Sequence, residues 1–152
     1  MYSAVLLTLD GSPLGEMAIP HAVAIAKSFD IPIILLRAIP IAPLQPDMMA
    51  TGMAPAVLPP NTELLDTEES IAKAYLRSHA ESLRNQGLTV TEKTPIGDAS
   101  IEVSAEQVRH PGCLTVMATH ARQGLGRLVF GSVADTVLHS AKGPLLLIRG
   151  YD

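Results

Sequence analysis

Short, predominantly apolar runs alternate along this chain with segments of helical periodicity, and this alternation restricts the fold more than any other feature of the sequence. Four such runs lie at residues 4–9, 31–39, 114–118 and 145–148, and residues 88–95 add a segment of alternating apolar and polar side chains. Apolar runs of this length are typical of strands that are buried on both faces. Strands separated by helices form a parallel sheet. The sequence therefore predicts the α/β class, with one open parallel sheet of five strands and helices on both faces.

Capping residues and prolines predict where several helices begin. Ser12 is a favourable N-cap with Pro13 at the first helical position. Pro20 is expected to bend or delay the helix that follows. Asp98 is expected to cap a later helix that extends to residue 109. The apolar side chains of that helix that we expect to face the core are Ile101, Ala105 and Val108.

Composition excludes several classes of protein. A length of 152 residues suits a single domain over residues 1–152, and 47% apolar with 17% charged residues excludes global disorder. A net charge of −4 and only 3% aromatic residues argue against nucleic-acid binding. No apolar run approaches the length of a membrane span, and the run at residues 4–9 is too short for a signal peptide. The expected location is the cytoplasm.

A long loop rich in proline and methionine is predicted at about residues 40–60. It contains six prolines and three methionines and has neither helical nor strand periodicity. Stretches of this kind inside a compact domain are typical either of a lid over a ligand or of a disordered segment. The sequence of the loop is compatible with both interpretations.

Ligand-binding features are expected where the strands end, because open α/β sheets bind ligands outside the carboxyl ends of their strands. Asp10 ends the first strand and can accept hydrogen bonds from two ribose hydroxyls. Gly131 and Ser132 open a helix, whose free N–H groups, together with the Ser132 hydroxyl and nearby Arg122, are suited to a phosphate. The alternative interpretation is that Gly131 and Ser132 only cap the helix.

No catalytic constellation or protein-held metal site is predicted. The single cysteine excludes a multi-cysteine zinc site, and the five histidines are scattered without the spacing of metal ligands. Asp10, His120 and either Ser12 or Ser132 supply the residue types of a hydrolase triad. However, no Gly-x-Ser-x-Gly elbow is present.

Both ends of the chain resemble the universal stress protein family. Its C-terminal signature resembles residues 117–149, MATHARQGLGRLVFGSVADTVLHSAKGPLLLIR, and its first strand and helix are similar to residues 5–26, VLLTLDGSPLGEMAIPHAVAIA. ATP-binding members of the family carry a glycine, two residues, a second glycine, nine residues and then Gly-Ser or Gly-Thr. Gly131 and Ser132 match the end of this motif, whereas Ala118 and Ala121 replace its first two glycines.

The resemblance implies a Rossmann-like fold of the adenine nucleotide alpha hydrolase type, with strand order 3-2-1-4-5, and a regulatory stress-response role with ATP and Mg²⁺ as ligands. By resemblance, Asp10 and Ala118 contact the ribose and the backbone of Ala38 contacts the adenine edge. By the same resemblance, Ala121 and residues 131–133 bind the phosphates, and Arg122 is close enough in the sequence to assist them. The full set of expected nucleotide-binding residues is Thr8, Leu9, Asp10, Ala38, Met117, Ala118, Thr119, His120, Ala121, Arg122, Gly131, Ser132 and Val133.

Two other functions remain open. Because two alanines replace the motif glycines, the chain could be a nucleotide-free dimeric scaffold of the same family. Because the rest of the ATP-binding motif is present, it could also be a slow ATP hydrolase. A homodimer is expected through the last strand, residues 145–148 (Leu145, Leu146, Leu147 and Ile148). With the implied strand order this apolar strand lies at a sheet edge, where it can pair with a second chain. No nucleic-acid or membrane partner is expected.

Overall fold

One parallel sheet organises the molecule, and its strand order agrees with the prediction. The computed structural model describes residues 1–41, 62–120, 122–124, 127–129 and 131–150. The strands of this part of the chain are β1 (Val5–Thr8), β2 (Ile33–Leu36), β3 (Val90–Lys93), β4 (Leu114–His120), β5 (Arg122–Gly124), β6 (Arg127–Val129) and β7 (Leu145–Gly150). Five of them form the sheet in the order β3-β2-β1-β4-β7, with every neighbouring pair parallel. The expected 3-2-1-4-5 order is thus confirmed, and a short antiparallel β5-β6 pair is an addition that we did not predict.

Helices cover both faces of the sheet. They are α1 (Pro13–Glu16), α2 (Ile19–Phe29), α3 (Thr62–Arg84), α4 (Ala99–Arg109) and α5 (Ser132–Ser140). Side chains of α2 and α3 pack with one set of strand residues, including Val5 and Ile33, and form the first core. Side chains of α4 and α5 pack with the alternate set, including Leu6 and Ile34, and form the second core. Because helices cover both faces, β1 and β2 are apolar at nearly every position.

The first two helices follow the predicted capping pattern. Ser12 caps α1 by accepting a hydrogen bond from the Gly15 N–H, and Pro13 is the first helical residue. The helix stops at Glu16, and α2 begins at Ile19 with Pro20 in its first turn. A proline is tolerated there because the first-turn N–H groups have no partner inside the helix. Pro20 therefore delays the second helix, as expected.

The orientation of α4 differs from the prediction. Ile101 and Val108 are 65% and 64% exposed, whereas Val103, Glu106 and Gln107 are buried. Hydrogen bonds explain this rotation. The Gln107 side chain donates to the buried Thr115 hydroxyl of β4 at 2.8 Å and accepts from the Lys142 N–H at 2.8 Å. Turning Ile101 and Val108 inward would leave these buried polar groups without partners.

No helix among the described residues is both long and apolar enough to cross a membrane. The predicted Pro- and Met-rich loop falls outside the described residues from position 42 to position 61, and its lid and disorder interpretations fall outside them as well.

Candidate functional site

A cavity opens at the carboxyl ends of β1 and β4, the point at which the strand order of the sheet reverses. The chain leaves β1 toward one face of the sheet and leaves β4 toward the other, which creates a crevice between the two strand ends. The predicted site residues that line this cavity are Thr8, Leu9, Asp10, Ala38, Met117, Ala118, Thr119, Gly131, Ser132 and Val133. The fold thus gathers residues that lie more than 100 positions apart.

The structure describes the side chains of all but three of the predicted residues. Ala121 lies outside the described residues, and the side chains of His120 and Arg122 are not described, although both belong to strands. The sequence argument also missed six residues of the cavity wall: Leu14, Gly15, Leu36, Ala99, Val103 and Ala134. Leu14 and Gly15 could have been identified from the Ser12 cap, because the cap sets the direction of the first helical turn that contains them. Ala99 and Val103 depend on the position of α4 and had no signal in the sequence.

Asp10 is the only charged residue among the described residues that line the cavity. Its Oδ1 accepts two hydrogen bonds from Ser12, one from the N–H at 2.9 Å and one from the Oγ hydroxyl at 2.6 Å. No described residue donates to Oδ2. The carboxylate is therefore fixed by one oxygen and offers the other to a ligand.

The loop that carries Asp10 is held from its outer side by an aromatic and charged cluster. Gly11 has a φ of +86°, a conformation that favours glycine, and the Arg37 guanidinium lies directly against it. The Arg37 Cζ is 5.0 Å from the centre of the Tyr75 ring, and the Tyr75 hydroxyl donates to the Glu16 Oε1 at 3.0 Å. Burial raises the pKa of Tyr75 above its usual value, and the hydrogen bond to Glu16 raises it further. Tyr75 thus remains a neutral donor to Glu16.

The backbone of Ala38 presents a donor and an acceptor next to the cavity. The N–H groups of Arg37 and Ile39 donate to Lys93 and Pro95 on the β3 side. Because successive residues of an extended chain direct their backbone groups to opposite sides, those of Ala38 face β1. The chain of β1 has already turned away there, at Asp10. Neither the N–H nor the C=O of Ala38 has a hydrogen-bond partner among the described residues.

The N-terminus of α5 opens onto the cavity without a side-chain cap. Gly131 is the N-cap residue, and its own N–H donates to the Thr119 Oγ1 at 3.3 Å. No side chain caps the first turn, so the first N–H groups of the helix have no partner among the described residues. By contrast, the Asp98 carboxylate caps α4 by accepting from the N–H groups of Ser100 and Ile101. The exposed N–H groups of α5 are suited to an anion.

Ala118 occupies the position of the first motif glycine without backbone strain. It lies in β4, opposite Ile148 of β7, and Asp30 is the only described residue other than glycine with a positive φ. An alanine in this extended conformation costs no left-handed strain. The methyl group of Ala118 is therefore compatible with the local backbone. Ala121 lies outside the described residues. That it replaces the second motif glycine without backbone strain therefore stays a prediction.

No group of three or more metal-ligating side chains occurs in the part of the chain that the structure describes. The cavity wall instead combines apolar side chains, one carboxylate, backbone groups at Ala38 and a free helix N-terminus. This combination fits a ligand with a flat apolar ring, hydroxyl donors and an anionic end.

Comparisons with known proteins agree with this architecture. The model of the universal stress protein family matches residues 1–149. The universal stress protein MJ0531 of Methanocaldococcus jannaschii is 27% identical over 149 residues, which cover 98% of this chain and 83% of that protein.

Solved structures share the fold. Universal stress protein UspA from Lactobacillus plantarum aligns with a TM-score of 0.78 at 22% identity, covering 97% of this chain and 98% of its own. A universal stress protein in complex with cAMP aligns with a TM-score of 0.68 at 19% identity, covering 99% of this chain and 98% of its own. With a family match over nearly its whole length and the strand order of that fold, the chain belongs to the universal stress protein family.

Proposed function

We propose that this chain binds an adenine nucleotide, with ATP and Mg²⁺ as the leading ligand, in a regulatory stress-response role. The observation that carries the proposal is that one cavity brings together the unpartnered backbone of Ala38, the carboxylate of Asp10 and the uncapped N-terminus of α5. These groups match the base, the ribose and the phosphates of a nucleotide, in that order along the cavity.

The base is expected at Ala38. Adenine carries an acceptor at N1 beside a donor at the exocyclic N6, which complement a backbone N–H and C=O. Guanine has the reverse arrangement, a donor at N1 and an acceptor at O6. Leu36, Val103 and Met117 supply an apolar surface for the ring. Because the ribose at Asp10 fixes which way the edge of the base faces, the backbone of Ala38 favours adenine over guanine.

The phosphates are expected at the N-terminus of α5. The N–H groups of Ser132 and Val133 and the Ser132 hydroxyl are donors of the kind that bind phosphate. Ala121 and Arg122 are assigned to the same phosphates by resemblance to the family. Since Asp10 is the only charged described residue of the wall, we expect Mg²⁺ to arrive with ATP and to offset the phosphate charge without protein ligands of its own.

The two alternative functions have less support. A nucleotide-free scaffold was suggested by the two alanines, but Ala118 has an ordinary strand conformation. A slow ATP hydrolase needs a general base near the phosphates. Asp10 is the only carboxylate among the described wall residues, and this proposal assigns it to the ribose rather than to the phosphates. The relative bound to cAMP supports an adenine nucleotide as the ligand class.

The proposal includes a homodimer that forms through the exposed edge of β7. Leu145, Leu146, Leu147 and Ile148 are all partly exposed along this edge. The cytoplasmic location and the response to stress likewise belong to the proposal.

Thermal unfolding with and without Mg-ATP tests nucleotide binding. At 100 times its Kd, ATP should stabilise the native chain by about 2.7 kcal/mol, which corresponds to a rise in Tm of roughly 5–10 °C. Asp10→Ala should greatly reduce the shift, whereas GTP should give little or none. A matched double variant, Ala118→Gly with Ala121→Gly, restores both glycines of the family motif.

Two outcomes would contradict the proposal in different ways. If millimolar Mg-ATP shifts the Tm of neither the native chain nor the double-glycine variant, only the scaffold function remains. If only the double-glycine variant responds, the two alanines have abolished an ancestral site.

A further inference from the structure

The backbone conformation at Gly15 does not require a glycine. It lies inside α1 and is not among the glycines with positive φ, which are Gly11, Gly87, Gly97 and Gly112. Within a helix, glycine is less favourable than alanine by about 1 kcal/mol. Another constraint must therefore favour the absence of a side chain at this position.

That constraint is the carboxylate of Asp10. A Cβ atom added to Gly15 would lie 2.5 Å from the Asp10 Oδ1 and 3.4 Å from its Cγ. The same Oδ1 accepts both hydrogen bonds from Ser12, and the Gly15 N–H donates to the Ser12 Oγ at 3.1 Å. Gly15, Ser12 and Asp10 thus form one connected arrangement in which hydrogen bonds from Ser12 hold the Asp10 Oδ1 beside Gly15.

The loop also has a close neighbour on the side away from Gly15. On its outer side the Arg37 guanidinium lies against Gly11, and Arg37 is in turn stacked on Tyr75. A side chain at position 15 is therefore expected to move the Asp10 carboxylate away from Ser12, because this carboxylate is the group nearest to the added Cβ.

We propose that Gly15 and Ser12 position the Asp10 carboxylate and thereby make the site selective for ribonucleotides with free 2′ and 3′ hydroxyls. This inference rests on the proposed nucleotide-binding function. An ionised carboxylate has about four acceptor positions, two on each oxygen. Ser12 occupies those of Oδ1, and Oδ2 retains two, which match the two adjacent hydroxyls of a ribose. Nucleotides that lack these hydroxyls leave acceptor positions unfilled.

The inference is tested by comparing the Kd of ATP with that of 2′,3′-dideoxy-ATP, both with Mg²⁺, by isothermal titration calorimetry. The native chain should prefer ATP at least tenfold, because hydrogen bonds to a charged acceptor are strong. Gly15→Ala should reduce the preference to less than threefold. Gly143→Ala is the matched control, since its added Cβ would be 3.4 Å from the Cys113 carbonyl oxygen and remote from the cavity.

A double-variant cycle distinguishes positioning from a general structural effect. In the background of Asp10→Ala, the further change Gly15→Ala should cause no additional loss of preference. Ser12→Ala should reduce the preference, and Ser12→Thr, which keeps the hydroxyl, should restore it.

The outcomes separate this inference from the proposed function. A native chain that binds neither nucleotide would overturn both. Equal affinity for ATP and dideoxy-ATP would overturn the selectivity alone and leave nucleotide binding intact. A Gly15→Ala variant that folds, as judged by circular dichroism, and keeps the full preference would overturn the role of Gly15.

Discussion

Glu106 is a buried, charged residue whose carboxylate forms only some of the hydrogen bonds that it could accept. Its side chain is 2% exposed on the inner face of α4, and its Oε2 accepts from the Arg109 Nη1 at 2.9 Å. Its Oε1 lies 3.1 Å from the His110 Nε2 and 3.7 Å from the Lys93 Nζ, but no described group is aligned for a hydrogen bond to it. Burial raises the pKa of the neighbouring Cys113 thiol, and the Glu106 charge adds to this effect.

We expect that the charge of Glu106 contributes little net stability. Burying a carboxylate costs several kcal/mol, and an incompletely bonded one recovers only part of this cost. Glu106→Met, which keeps a similar volume, should change the free energy of unfolding by less than about 1 kcal/mol. Glu106→Ala, which leaves a cavity, should cost about 2–4 kcal/mol. Urea denaturation of both variants measures the difference, and an equal loss in the two would instead assign the stability to the ion pairs.

At the scale of elements, the sequence predicted where α4 begins but not which face it buries. Periodicity identifies a buried face by its apolar residues, and it therefore selected Ile101, Ala105 and Val108. The helix instead buries Glu106 and Gln107, because Gln107 satisfies the buried Thr115 hydroxyl of a central strand. Hydrogen-bond partners far apart along the chain are invisible to periodicity, so no argument from the sequence of α4 alone identifies this face.

The candidate site was more predictable than α4 because the sheet determines most of it. Parallel strands end at a common edge, so the residues that follow β1, β2 and β4 had to approach one another. Asp10, Gly131 and Ser132 were identified on this basis, whereas Ala38 was assigned only by resemblance to the family. Ala99 and Val103 were missed because they reach the cavity only through the rotation of α4.

The cap of α4 has a measurable pH dependence. The side-chain hydrogen bond from Ser100 holds the pKa of Asp98 below its usual value, and the Ile101 N–H lowers it further. Because the pKa of Asp98 is lower in the folded chain than in the unfolded one, its stabilising effect is fully present above about pH 4, the unfolded value. It is lost as the pH falls through the folded pKa.

Carbon NMR titration of the Asp98 carboxyl group tests this assignment. Ser100→Ala should bring the pKa of Asp98 closer to the usual aspartate value, because it removes the largest cause of the shift. Asp98→Asn is the control for stability, since an amide oxygen still caps the helix but does not titrate in this range. An unchanged Asp98 pKa in the Ser100→Ala variant would show that the backbone N–H groups alone lower it.

At the scale of the whole molecule, the two edges of the sheet differ in chemistry. The β3 edge carries Thr91, Glu92 and Lys93, and the charged residues discourage pairing with another chain. The β7 edge carries an apolar stretch from Leu145 to Ile148. Side chains of this stretch pack into both cores, with Leu146 and Ile148 on one face and Leu145 and Leu147 on the other. A pairing partner at β7 would therefore extend both cores at once.

The register of β7 shows which backbone groups are available to a second chain. The Thr115 N–H donates to the Pro144 C=O, and β4 and β7 are parallel, so residues 144, 146 and 148 pair with β4. The alternate residues, including Leu147, direct their N–H and C=O groups away from the sheet. On the opposite edge, Glu92 has the equivalent outward position, because the Thr89 and Lys93 carbonyls accept from β2.

Proline substitutions at these two positions give a matched test of the homodimer. Leu147→Pro removes an outward N–H without breaking a hydrogen bond inside the sheet, so the monomer should fold while the dimer is lost. Glu92→Pro makes the same change at the polar edge and should leave the dimer intact. Sedimentation equilibrium should give twice 16.1 kDa for the native chain and the Glu92→Pro variant, and 16.1 kDa for Leu147→Pro. A native chain that is monomeric at high micromolar concentration would contradict the proposed dimer. A dimer that survives Leu147→Pro and dissociates with Glu92→Pro would place the two-fold axis at β3 instead, because each proline removes a pairing group from only one edge.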